Sequence, residues 1–260
     1  MWLRRFCLWT LPLAAPFMAA AGPAHAQEPT PAGTHVEGVA AEAAASADAR
    51  RENVRGDETF QSRYTCVSPS GAADEAPIVC EGRISPVLPE LYFSLSWRLD
   101  EFGDRAVDTV HIRRKGEVEA FQTIENVASH DAGQIPGNGF ELIDVNFDGY
   151  HDLRLIAEGT AGPNVLYRNW LWAPDEEIFV GNAALDEIVS PEFDPETQEI
   201  VSRWRSSAAQ GGVDIYVWEE GQTVLIHRET DGYAGPSACT RTFFDRIDGE
   251  LRETGTGACG

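Results

Sequence analysis

The stretch Phe140-Glu141-Leu142-Ile143-Asp144-Val145-Asn146-Phe147-Asp148-Gly149-Tyr150-His151-Asp152-Leu153-Arg154-Leu155-Ile156 decides how this chain is read. Oxygen-bearing side chains stand at alternate places ahead of a glycine, so a tightly turning backbone can aim several of them at one point. That donor set suits a hard cation. Ca2+ is the expected ligand, held by the side chains of Asp144, Asn146, Asp148 and Asp152 and by the backbone carbonyl of Tyr150. An EF-hand would place a glutamate at the twelfth position and flank the loop with helices, but the twelfth residue is Leu155. The flanks Phe140, Leu142, Ile143 and Leu153, Leu155, Ile156 are short apolar runs with partial alternation. They predict strand, calcium turn, strand. Asp, Asn and Gly are also ordinary turn residues, so a metal-free Asx turn between the same strands is the competing reading.

The same short period extends outward. Phe93, Leu95, Trp97 and Leu99 alternate with Ser94, Ser96 and Arg98, which predicts a strand with those four apolar residues on one face. Val110 and Ile112 continue the pattern. Val213, Ile215 and Val217 are followed by Glu220-Gly221 and by Val224 and Ile226; Thr242 to Ile247 are followed by Asp248-Gly249 and Leu251. Both read as hairpins. Further strands are expected around Leu166 to Trp172, Ile178 to Val180 and Glu199 to Trp204, with one helical turn in Asn182 to Ile188. The expected fold is all-β, an antiparallel meander with one calcium-binding loop.

The ends set the domain organisation. Arg4 and Arg5, an apolar run from Phe6 to Ala21 and the ending Ala24-His25-Ala26 make residues 1–26 a secretory signal peptide, too short for a good membrane span. Residues 27–60 hold almost no large apolar side chain and read as a disordered linker, leaving 61–260 as a single β domain. Cys7 leaves with the leader; Cys66, Cys80, Cys239 and Cys259 form an even set in an exported chain and predict two disulfides. Three connectivities are open, of which Cys66 with Cys80 and Cys239 with Cys259 is favoured, each pair bracketing a hairpin or short loop. Spacing disfavours zinc. The expected location is periplasmic or secreted, with no membrane-spanning segment after cleavage.

The balance of 20 basic to 42 acidic residues repels nucleic acid and anionic lipid and favours cationic partners, besides keeping the chain soluble. No Gly-x-Ser-x-Gly elbow or His-Glu-x-x-His occurs, and no two of the histidines stand at metal spacing, so no catalytic residues are assigned and the chain is read as non-enzymatic. His151 is expected to face solvent from the eighth place of the loop. Tyr167, Trp170, Trp172, Phe179, Trp204, Tyr216 and Trp218 could line a sugar-binding face, although core filling is the commoner use of such rings. Gly159 to Asn164 is a loop of small residues placed to enter a partner's cleft, or an ordinary connection.

Asp144 to Leu155 resembles the Asp-x-Asn-x-Asp-Gly-x-x-Asp-Leu calcium element of FG-GAP-type repeats. Joined to Gly159 to Trp172 and to Trp204 to Glu229, it is similar to periplasmic β-propeller-like proteins that include immunity proteins against peptidoglycan-cleaving toxins, themselves similar to periplasmic inhibitors of invertebrate-type lysozyme. The resemblance implies a β-propeller-like arrangement, and a protein partner: a cationic peptidoglycan hydrolase, lysozyme-like or a toxin effector, that this chain binds and inhibits. The matching partner-binding loop is Ala161, Gly162, Pro163, Asn164 and Tyr167, with Ala161 where that family carries serine. The alternative is a carbohydrate-binding or structural module of the envelope.

Overall fold

Alternation, two-residue turns and near absence of helical period produce a chain that folds back on itself strand by strand. The structure, a computed structural model, describes residues 63–67, 76–99, 105–130, 139–157, 163–235 and 238–259. The leader expected over 1–26, the linker expected over 27–60 and the loop residues Ala161 and Gly162 lie outside the described residues. The first sheet is β1 (Tyr64–Val67), β2 (Ile78–Gly82), β3 (Leu91–Leu99), β4 (Arg105–Arg114) and β5 (Gln122–His130). The second is β6 (Glu141–Ile143), β7 (Asp152–Ile156), β8 (Tyr167–Ala173) and β9 (Ile178–Gly181). The third is β10 (Pro191–Asp194), β11 (Glu199–Ser207), β12 (Gln210–Glu219), β13 (Gln222–Gly235), β14 (Ala238–Ile247) and β15 (Glu250–Ala258). Every sheet runs in chain order with antiparallel neighbours, so the expected meander is the observed topology.

Two apolar clusters position the three sheets. Phe93, Leu95, Val110 and Ile112 of the first sheet pack against Leu142, Leu153, Leu155 and Trp172 of the second, with Phe140 and Tyr150 in the same cluster. Val145, Phe147, Leu185, Ile188 and Ile200 form the other, joined by Ile143, Leu171, Phe193, Tyr216 and Trp218. The middle sheet therefore has a covered side toward each cluster, and Asp152 through Leu155 on β7 are all buried.

The hairpin turns behave as read. Glu220-Gly221 has φ of 50° and 77° and Asp248-Gly249 has 53° and 85°, the two positive values a two-residue turn needs to match strand twist. Asn182 caps the single turn α1 (Ala183–Asp186), its Oδ1 accepting the Leu185 amide at 2.9 Å. Cys66 faces Cys80 across β1 and β2 and is bonded to it; Cys239 is bonded to Cys259. One strand departs from expectation. The pairing of β3 with β4 shifts between Ser96 and Trp97, and Leu99, expected inside with Phe93 and Leu95, is 61% exposed. An irregularity of that kind changes which face the following side chains reach.

Candidate functional site: the Asp144–Asp152 turn and the edge beside it

The turn is shaped by a division of labour between alternate residues. Val145 and Phe147 point into the second apolar cluster and Tyr150 into the first, so the backbone is held from both sides. Phe147 adopts φ of 60° and Gly149 of 89°. At Gly149 this costs nothing, whereas at Phe147 the burial of a ring offsets a conformation that L residues disfavour. Asp144, Asn146 and Asp148 are left to bind the turn's own amides. Asp144 Oδ1 and Asn146 Oδ1 both accept from the Asp148 amide, at 3.1 and 3.2 Å. Asp144 Oδ2 accepts from Gly149 at 2.8 Å and Asp148 Oδ1 from Tyr150 at 2.8 Å. The Asn146 amide nitrogen donates to Asp148 Oδ2 at 3.0 Å.

Asp152 lies beneath these, almost fully buried. Its Oδ2 accepts the Val145 amide at 3.0 Å and its Oδ1 the Trp172 amide of β8 at 2.8 Å. Burial and the neighbouring Asp148 charge push its carboxyl well above the usual carboxylate range. The same two causes push Asp144 up to about 6, against the pull of the Gly149 and Asp148 amides. The turn is further tied to all three sheets. His151 donates its amide to the Ile84 carbonyl beside β2 at 2.7 Å, and Trp218 of β12 donates its indole N–H to the Val145 carbonyl at 2.7 Å. His151 itself is half-buried instead of facing solvent, and burial pushes its imidazole down to about 4, so it is neutral near pH 7.

This donor set fits a calcium ion. Hard oxygens, among them the Asp144 and Asp152 carboxyls raised in pKa by burial and by the Asp148 charge, are the groups a divalent cation relieves, and an oxygen that already accepts one amide keeps a second lone pair. Asp144, Asp148 and Asp152 do not draw together as tightly as a trio of ligand atoms within 4.8 Å; among the described residues that spacing occurs only in Asp231, Cys239 and Cys259, whose two cysteines are joined as a disulfide.

Beside the turn, the far limb of the small-residue loop is fastened in place. Asn164 donates Nδ2 to the Arg205 carbonyl at 2.8 Å and accepts the Arg205 amide at 2.9 Å, pairing with β11 as a strand residue would. Val165 and Ser190 exchange two further bonds, and Ala157 donates to the Leu166 carbonyl at 2.9 Å. Tyr167 is half-buried, with the Arg154 guanidinium 4.1 Å over its ring. Arg154 also reaches Glu141 on β6 at 2.7 Å and packs 5.2 Å from Phe193. Of the residues expected to meet a partner, Pro163 is exposed, while Asn164 and Tyr167 serve the fold. Arg205, Ser190 and Arg154 were not legible as parts of this edge, since each reaches it from a distant strand.

The aromatic residues divide between packing and surface. Trp172 and Phe179 lie in the first cluster with Trp170 against it, and Tyr216 and Trp218 pack on the second. These five rings contribute to the two cores. Among the histidines, His227 meets Asp245 at 2.7 Å and Glu229 at 3.6 Å, and His111 meets the Thr123 hydroxyl at 3.0 Å.

No protein-family model and no curated protein matches the sequence. Among solved structures the fold is similar to a Xanthomonas type IV secretion system related protein, with 18% identity, a TM-score of 0.52, and alignment over 75% of this chain and 100% of that one. At that identity the likeness concerns the fold alone. Two disulfides fit an extracytoplasmic protein, and among the described residues no helix is long and apolar enough to cross a membrane.

Proposed function

We propose that this chain is a non-enzymatic, calcium-stabilised periplasmic protein that binds a peptidoglycan hydrolase, lysozyme-like or a toxin effector, and inhibits it through the edge beside the calcium turn. The observation that supports this reading is the fastening of both ends of the small-residue loop, at Ala157 through Leu166 and at Asn164 through Arg205, next to a turn braced by three sheets. A loop held at its base loses little freedom on entering a cleft, and binding is tighter for it. Ala161, Gly162 and Pro163 would enter, with Asn164 and Tyr167 holding the base. A bound calcium ion would supply positive charge to Asp144, Asn146, Asp148, the Tyr150 carbonyl and Asp152, and so stiffen the strand that feeds the loop. The acidic surface favours a cationic enzyme, and a propeller-like relation among the three meanders belongs to the same proposal. The neighbour's description as related to a secretion system is compatible with work at the envelope. The test is lysis of cell walls by a panel of lysozymes and of candidate toxin hydrolases, with and without the purified protein; undiminished lysis throughout would refute it.

A further inference from the structure

The strand directions around Arg205 are settled by Trp204. Its indole lies across Gly212, where an added Cβ would stand 2.6 Å from Trp204 Cζ2 and would also strike the Glu229 carbonyl oxygen, so only glycine fits there. With Trp204 on that face, strand alternation sends Arg203 and Arg205 to the other, and both are exposed. Opposite Arg205 on β12 is Gly211, which has no side chain to offer it. The next residue in the row is Asp231 on β13, already held by the two-pronged Arg241 guanidinium at 2.6 and 2.8 Å.

Among the described residues Arg205 is therefore a cation without a partner, in a chain rich in anions. Arg98, Arg114, Arg154, Arg168, Arg228 and Arg241 each meet a carboxylate within 4.0 Å, and Arg203 meets Glu192 at 3.6 Å. The Arg205 guanidinium meets no carboxylate, carbonyl or ring among the described residues. With 42 acidic side chains available to 20 basic ones, lack of carboxylates is not the reason. Meanwhile its main chain is among the better fixed on the surface, paired with Gly211 on one side and doubly bonded to the Asn164 side chain on the other.

We propose that Arg205, with Pro163 and Asn164 beside it, is the specificity-determining cation of the partner edge, and that it receives a carboxylate of the protein partner. This rests on the reading that the edge binds a hydrolase. The acidic surface as a whole would draw in a cationic enzyme, and Arg205 would then engage the acidic groups that such an enzyme keeps in its cleft. Its planar fork suits a carboxylate in two-pronged contact, which a lysine cannot reproduce.

The test is calorimetric titration of the purified protein against invertebrate-type, goose-type and chicken-type lysozymes, repeated with Arg205→Ala, Arg205→Lys and Arg205→Glu. For an enzyme that the wild-type chain binds, Arg205→Ala should weaken binding about tenfold or more and Arg205→Glu further, while Arg205→Lys keeps part of the affinity. All three variants should melt with the wild type, because the guanidinium holds no hydrogen bond or ion pair among the described residues. If Arg205→Ala binds as tightly as wild type, the role of Arg205 is wrong while the hydrolase reading stands. If the wild-type chain binds none of the three enzymes and none of the candidate toxin hydrolases titrated in the same way, both fall.

Discussion

The indole N–H of Trp218 on β12 donates to the backbone carbonyl of Val145 at 2.7 Å, joining residues 73 apart in sequence and anchoring the Asp144–Asp152 turn to the third sheet. Val145 is fully buried, so its carbonyl cannot turn to water if the donor is lost. Trp218→Phe keeps a ring against the second cluster and removes only the N–H. It should cost about 1–3 kcal/mol, the penalty of a buried acceptor left unsatisfied. Urea unfolding should show a lower midpoint at unchanged slope, and an unchanged midpoint would mean that the bond carries nothing.

Calcium should act on stability through the folded state alone. At a free concentration of a hundred times its dissociation constant, one such ion adds about 2.7 kcal/mol. Calorimetric melting in calcium should therefore exceed melting in chelator, and Asp148→Asn, which retains an acceptor for the Tyr150 amide, should remove most of the difference. Identical melting of the wild type in both conditions would dispose of the metal.

The parts of this fold that were legible in the sequence are those where one local rule acts alone. Glu220-Gly221 and Asp248-Gly249 announce their hairpins because positive φ at both central residues leaves few choices, and the β3 alternation holds from Leu91 to Leu95 because one face is buried. β7 was harder to orient, since Asp152 to Leu155 are buried on both faces and no period survives. Within the candidate site, spacing named Asp144, Asn146, Asp148 and Asp152 as the oxygen-bearing residues of one turn, and their oxygens accept its amides. The inward position of His151 could not, because it depends on Ile84, brought up from the first sheet. Asn164 likewise looked like a presented loop residue until its amide met the Arg205 main chain, 41 positions on.

Arg154 should prove a brace between the second and third sheets. Its side chain is nearly buried, pairs with Glu141, and sits against the rings of Tyr167 and Phe193. Arg154→Met keeps the packed stem and removes the guanidinium. Because Glu141 retains partial access to water, the loss should be about 2 kcal/mol, below the 3–5 kcal/mol typical of a fully buried broken pair. Thermal unfolding of this variant is the measurement, and a melting temperature equal to wild type would refute the brace.

His227 gives the third sheet a pH dependence whose sign follows from its surroundings. Asp245 on β14 is hydrogen-bonded to its ring and Glu229 on β13 lies beside it, and together they hold its pKa above the ordinary 6.5 despite opposing burial. The Thr254 hydroxyl of β15 and His227 hold Asp245 below the ordinary 3.8. A raised histidine contributes stability that is complete below about 6.5 and is lost as pH climbs through its folded value; a lowered aspartate contributes above about 3.8 and is lost on acidification. The pair should therefore stabilise most between those limits and weaken as the solution becomes alkaline. Both groups are substantially solvated, so the effect on the melting temperature should be small. Subtracting the profile of His227→Gln from that of wild type isolates it. A difference that is flat from pH 5 to 9 would remove His227 from the account, and one that grows with rising pH would reverse its sign.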